Sequence, residues 1–450
     1  MKRLLGILLT VMLLCSSFAF ASAEANPSFL DIKLGETSTD LTASIKWLTH
    51  RTDLVTSGAL AAYIAEFNKV YPNITVEFEG VTDYHQDSLV RLTGSDDWGD
   101  IMGIPQVELS ELGTYFLPYG AVADMSSYVN YADAKQFDGL CYGIATTANF
   151  NGMLYNKAVF EKAGVTAIPK TPAEYLAALQ AIKDNTDAIP LYTNYAAGWT
   201  MGAWDAYAGV GATGDVNFDN ITMISKKDPF AKFADETTGP YAVYKILYDA
   251  AAAGLIEDDY TTTDWEGCKP MLNNGQIGTM VLGSWAYTQM RDAIGGEHPE
   301  DVAYMPFPIT VDGKQYALAD ADFCYGINCK TDATRQLASM IFVKWMVEKS
   351  GFTLAEGGAP VLVGGEWPEF AAAFADCTML TPTKVDGDAA QLVDDINADS
   401  TLMFNKGGNE KIQKIVEHGF NKDMSFDDLM ASWNELWSDA QAGLNVTVVE

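Results

Sequence analysis

Apolar positions along the chain switch repeatedly between a period of two and a period near 3.6, and the switches write out a succession of strands and helices. Ser44-Ile45-Lys46-Trp47-Leu48 reads as a strand and His50-Arg51-Thr52-Asp53 as a turn. Leu60, Ile64 and Phe67, at i, i+4 and i+7, mark a helix that Pro72 stops. Ile74, Val76 and Phe78 then alternate with Thr75, Glu77 and Glu79, as in a strand with one polar face. This is a βαβ unit, and its pattern recurs. Asp100 to Ile104 and Gly278 to Leu282 read as strands. Asn156 to Ala163, Ala173 to Lys183 and Tyr241 to Ala253 read as helices, the first and third followed by glycine. Later, Leu337, Ile341, Trp345 and Met346 stripe one helix, and Leu429, Trp433 and Leu436 a terminal one, so Trp345, Trp433 and Trp437 are predicted core residues. Repeated βα units predict an α/β protein with parallel sheets covered by helices. Residues 24–43 are polar and aperiodic and read as a tether ahead of the fold.

The chain has 450 residues, 48% hydrophobic and 20% charged, enough for two or three domains with cores of their own. Sixty acidic against 28 basic residues give a formal charge of -32, which argues against nucleic acid and anionic lipid as partners. The long apolar stretch lies at the start. Lys2 and Arg3, then Leu4 to Leu14, then Ala21-Ser22-Ala23 have the three parts of a secretory signal, residues 1–23, so the protein is expected to be exported. Leu14 before Cys15 does not suit a lipid-anchor site, so Cys15 is expected to be unlipidated. The five later cysteines are scattered without a C-x-x-C pair and do not describe a disulfide framework.

Catalytic signatures are missing. Four histidines lie outside metal-ligand spacing, and no P-loop, G-x-G-x-x-G or G-x-S-x-G segment occurs, so no catalytic residue, metal or cofactor is assigned. Asp320-Ala321-Asp322 starts like a calcium loop, but Cys324 and Thr331 stand where oxygen ligands belong. A carboxylate pair for glycoside cleavage needs only proximity in space, which keeps a secreted carbohydrate-active enzyme as the alternative.

Loop aromatics supply a different chemistry. Trp199 and Trp204 sit among glycines and alanines, and Gly283-Ser284-Trp285 stands where a strand hands over to a helix, the place where open α/β sheets hold ligands. A flat indole stacks on the C–H face of a sugar while neighbouring polar groups bond its hydroxyls. Trp199 and Trp204 have a competing reading as core.

Gly152-Met153-Leu154-Tyr155-Asn156-Lys157-Ala158-Val159-Phe160-Glu161-Lys162-Ala163-Gly164 with Pro169 and Pro172 resembles a hallmark segment of family 1 extracellular solute-binding proteins, the sugar-capturing subunits of ABC importers. Asn273 to Ala286 resembles that family's second hallmark, which ends in G-S-W, Tyr71 to Val76 its Y-P-x-I-x-V, Leu140 to Ile144 its Y-G-I segment, and Tyr325 to Asn328 with Phe342 to Met346 its late crossover. Cys141, Ala145 and the missing lipobox depart from the pattern. The resemblance implies a two-lobe, type II periplasmic-binding-protein-like fold. Residues 44–148 plus about 305–350 would form lobe 1 and 149–304 plus about 351–450 lobe 2, with hinge strands near 146–152, 304–309 and 347–352. It further implies a carbohydrate enclosed between the lobes, delivery to permease subunits of an ABC transporter, a monomer, and no catalysis. The ligand-binding candidates are Trp285, Trp199, Trp204, Ser284, His50, Arg51, Asp83, Tyr84, Asp320, Asp322, Phe323 and Trp367. For Arg51 an ion pair with Asp53 or Asp100 is the competing reading.

Overall fold

The structure, a computed structural model, describes residues 26–450 apart from residues 82, 83, 235 and 408 and the side chain of His85. The expected signal segment, Cys15 and Asp83 lie outside the described residues.

Two sheets, each covered by helices, organise the chain into two α/β lobes. The first has the order Ile74–Gly80, Ala43–Thr49, Ile101–Gly103, Cys324–Ile327, Ile144–Ala145. Its first three strands run parallel, as right-handed helical connections require, and the last two enter antiparallel. Ile74 and Val76 are buried while Thr75 and Glu77 are exposed, which is the predicted alternation. Between the helices Thr52–Ser57 and Ala59–Phe67, Gly58 takes the left-handed conformation with φ 79°, so the chain changes direction without a Cβ clash. The helix Ala333–Glu348 lies on this sheet and is capped by Asp332, which accepts the N–H groups of Thr334 and Arg335 at 3.0 Å. Asp100 is fully buried and accepts hydrogen bonds from the Lys46 N–H at 2.7 Å and from Arg335 at 2.9 Å, tying that helix to the sheet.

The second sheet is centred on Ala148–Asn156, in the order Thr378–Leu380, Tyr316–Ala321, Ala148–Asn156, Ile277–Gly283, Ile189–Leu191, with Val302–Met305 also paired to the central strand. Asn156 ends that strand and caps the helix Lys157–Ala163 by accepting the Val159 N–H at 3.0 Å; Gly164 closes it at φ 76°. Buried side chains divide between the same two bodies. One core runs from Phe29 to Ala145 and from Cys324 to Val361; the other is built from Ala148 to Ala319 and from Ala359 to Ala440.

The chain crosses between the cores at Thr146–Thr147 and returns at Asp322–Phe323. These two passages are bonded to each other, Asp322 N to Thr147 O at 3.0 Å and Thr146 N to Phe323 O at 2.8 Å. The return therefore lies later than the expected 305. Val302–Met305 pairs with Met153 to Asn156, and Tyr316–Ala321 continues along the same strand to Ala148, so this stretch belongs to the second sheet. The last departure is later as well, since Phe352 and Val361 still belong to the first core and Ala371 to the second. The expected tether is also corrected. Phe29 and Ile32 are buried in the first core, Phe29 lying edge-on to Tyr119 at 5.0 Å, and the Tyr71 hydroxyl bonds the backbone at Gly35 and Thr37. The apolar residues of this stretch follow no regular period, yet Phe29 and Ile32, with Leu34 and Leu41 packed partly buried beside them, seat it on the first core.

Candidate functional site

In the second lobe the site begins with a buried strand that stops abruptly. Ile277 to Leu282 are buried, the strand ends at Gly283, and the helix Trp285–Arg291 starts two residues after it. Ser284 is fully buried: its N–H donates to Phe150 O at 2.9 Å and its Oγ accepts the Phe150 N–H at 3.1 Å. It pins two strand ends together and presents no surface to a ligand, so its expected ligand role gives way to a structural one. Gly283 is required here because a Cβ would come within 2.8 Å of Trp285 Nε1. The indole of Trp285 thus lies back over the strand end.

Three indoles meet at this junction. Trp285 lies 5.7 Å from Trp199 and 5.7 Å from Trp265, and Trp199 stands at 78° to Trp265 at 5.1 Å. Trp199 is 46% exposed, while Trp265 and Trp285 are partly buried beneath it. Trp204, by contrast, is only 2% exposed and packs against Phe307, so it belongs to the core. Sequence reasoning missed Trp265. A signal was present, since Trp265, like Trp285, is the first residue of a helix, and Asp264 caps that helix by accepting the Gly267 N–H.

The first lobe contributes a second aromatic group at the ends of its strands. His50 lies 4.2 Å from Phe323 and 5.7 Å from Tyr84, and Tyr84 meets Phe323 at 5.2 Å. Tyr84 is buried and its hydroxyl donates to Gly103 O at 2.8 Å, so it supports the other two rings. Arg51 follows His50 but is heavily engaged. Nε and Nη2 donate to Asp53 at 2.9 and 2.7 Å, and Nη1 donates to Glu356 at 2.5 Å, using three of its five N–H donors. This realises the structural reading of Arg51. Glu356 precedes Gly357, where a Cβ would sit 3.3 Å from Thr288 of the helix that Trp285 opens. Arg51 therefore anchors the first lobe to the segment that touches the second. No local signal marks Glu356 in the sequence.

Asp322 lies in the link between the strands Tyr316–Ala321 and Cys324–Ile327, where the chain returns to the first lobe. Burial pushes its carboxyl up to about 6, with the Arg51 charge opposing the rise. A cavity of about 20 Å³ between Arg51, Thr147, Asp322 and Tyr325 has room for roughly one water. The Thr147 Oγ1 and Tyr325 hydroxyl atoms are buried without a partner, which marks this hinge as polar inside. Asp320 is paired with Lys384 and bonds the Ala321 N–H, so its carboxylate is already occupied. Trp367 is 41% exposed and stands edge-on to Phe150 at 5.5 Å. The structure thus gathers Trp285 and Trp199 with Trp265 on one lobe and His50 and Phe323 on the other, with Arg51 and Asp322 at the connecting strands. A groove of about 710 Å³ beside Tyr63 and Trp345 lies between helices of the first lobe and shares none of these residues.

The chain belongs to the bacterial extracellular solute-binding protein family, whose model matches residues 53–351. It is 47% identical to a manno-oligosaccharide specific solute binding protein, BlMnBP2, of Bifidobacterium animalis subsp. lactis, solved in complex with mannotriose; the match covers 93% of this chain and 99% of that one, with a TM-score of 0.85. BlMnBP1 of the same organism, a binding protein of an ABC transporter in complex with mannobiose, is 46% identical over 93% of this chain and 99% of that one, with a TM-score of 0.84. The multiple sugar-binding protein of Streptococcus mutans is 26% identical over 322 residues, 68% of this chain and 72% of the relative.

Proposed function

We propose that this protein captures a manno-oligosaccharide between its lobes and presents it to the permease subunits of an ABC transporter, as an exported monomer that performs no chemistry on its ligand. The observation that carries this reading is the joined indole surface of Trp199, Trp265 and Trp285 at the strand-to-helix junction of the second lobe. Such a surface offers a broad face for the C–H side of a pyranose. The likeness to BlMnBP2 and BlMnBP1 over nearly the whole chain supports mannose as the sugar unit.

A cationic ligand is the natural rival given the charge of -32. An aromatic cage places ring faces around the cation, each centroid within about 6 Å of it. Here the centroids lie 5.1 to 5.7 Å from one another, in mutual contact, and Lys269 already covers Trp265 at 4.8 Å. The three rings are packed on one another with no gap between them for a cation, which favours a neutral ring stacked on the exposed indole surface.

The passages at 146–147, 322–323 and beyond 352 act in this reading as the hinge, with residues up to 145 plus 324–352 as one lobe, 148–321 plus 371–450 as the other, and the stretch between 352 and 371 touching both. A thermal-shift screen of the mature chain against mannobiose, mannotriose, maltotriose, raffinose and spermidine tests the function. A ligand at 100 times its dissociation constant raises stability by about 2.7 kcal/mol. Stabilisation by the manno-oligosaccharides and recovery of the sugar unchanged are the expected results; stabilisation by spermidine alone, or cleavage of the sugar, contradicts the proposal.

A further inference from the structure

Between Ala359 and Ala371 the chain is fastened to both lobes in turn. The Ala359 N–H donates to Ala148 O at 2.7 Å, at the end of the central strand of the second sheet. Residues 360–363 then lie against the first lobe: Asn130 N–H donates to Val361 O at 2.8 Å, Val363 N–H to Tyr128 O at 3.0 Å, and the Asn130 side chain to Pro360 O at 2.9 Å. Gly364, at φ 74°, reverses the chain, and the Gly365 N–H closes the turn on Leu362 O at 3.0 Å. Trp367 returns to the second lobe against Phe150, and Phe370 and Phe374 pack on the same ring at 5.7 and 5.1 Å.

This strap leaves 41% of Trp367 uncovered. The exposed ring is held by a residue whose own N–H is gripped by Ser284, so Trp367 and Trp285 belong to one junction. They approach it from different faces. Trp285 lies over Gly283, which pairs with Asn151, whereas Phe150 is the neighbouring residue and points to the opposite face of the strand. Phe150 lies three residues beyond the crossing at Thr147, and Val363 is held by Tyr128 of the first lobe, so the uncovered ring of Trp367 stands beside the passage between the lobes.

We propose that Trp367 is a second stacking platform that contacts the third or a later unit of the bound saccharide, so that the strap sets the preferred ligand length. This rests on the saccharide-binding reading above. The test is calorimetric titration of the wild type, Trp367→Ala and Trp367→Phe with mannose, mannobiose, mannotriose and mannotetraose, alongside the melting temperature of each ligand-free protein. The wild type should bind more tightly as the ligand lengthens. Trp367→Ala should hold mannobiose within about twofold of wild type and lose about tenfold or more for mannotetraose, a loss typical of a stacked aromatic, and Trp367→Phe should recover part of it. Equal weakening at every length, or none at any length, overturns the proposal while leaving the saccharide reading standing. Failure of the wild type to bind any of the four overturns both.

Discussion

Replacing Trp285 and Trp204 separately by alanine separates a ligand platform from a core residue. Trp285 is partly buried against two indoles, each at 5.7 Å, and an aromatic pair contributes about 0.5 to 1.5 kcal/mol beyond its buried area. Trp285→Ala should therefore cost about 1 to 3 kcal/mol of stability, less than a full core deletion. It should also weaken manno-oligosaccharide binding by about 1 to 3 kcal/mol, roughly 5- to 150-fold, as the stacking face is lost. Trp204 has 2% of its surface exposed, and Trp204→Ala should cost about 3 to 5 kcal/mol of stability. Where that protein remains folded, its affinity should stay within a few-fold of wild type. Urea unfolding of the ligand-free proteins gives the first quantity and calorimetric titration the second. Wild-type affinity in folded Trp285→Ala, together with lost affinity in Trp204→Ala at unchanged stability, would refute the assignment of the two residues.

Two further outcomes follow from the fold and the hinge. The Asp322 carboxyl is raised to about 6, so the folded protein binds this proton more tightly than the unfolded chain; the group favours folding least above its folded value, and stability falls as pH rises from about 4 through 6. Asp322→Asn should accordingly raise stability by about 1 to 2 kcal/mol at pH 7.5 relative to its effect at pH 4, read by urea unfolding at the two pH values; an equal effect at both removes the argument. Phe29 is 1% exposed in the first core, so Phe29→Ala should cost about 3 kcal/mol or more in the same assay, where a tether residue would cost nothing measurable.

The β–α succession was legible because the alternation of Ile74 and Val76 with exposed Thr75 and Glu77 is local information, as is the spacing of Leu337, Ile341 and Trp345, although that helix is buried all round from Leu337 to Met346. The position of Trp285 at a strand-to-helix junction was legible because its strand, its glycine and its helix are contiguous. What was not legible depends on contacts between distant segments. Nothing local tells whether 305–321 crosses between lobes, and only the pairing of 302–305 and 319–321 with the strand 148–156 decides it. Ser284 and Tyr84 stand at the right strand ends, yet Phe150 and Gly103, distant in sequence, take up their polar atoms. Glu356 joins Arg51 across 305 residues, and nothing near either one announces the partner.

The central claim is that a saccharide lies between the lobes against the indoles of the second. A crystal structure of the mature protein with mannotriose tests it most directly. The account predicts a sugar ring stacked on the Trp285 and Trp199 surface, enclosed from the other side by the lobe that carries His50 and Phe323. Mannotriose seated instead in the groove beside Tyr63 and Trp345, with the indole surface bare, would contradict it.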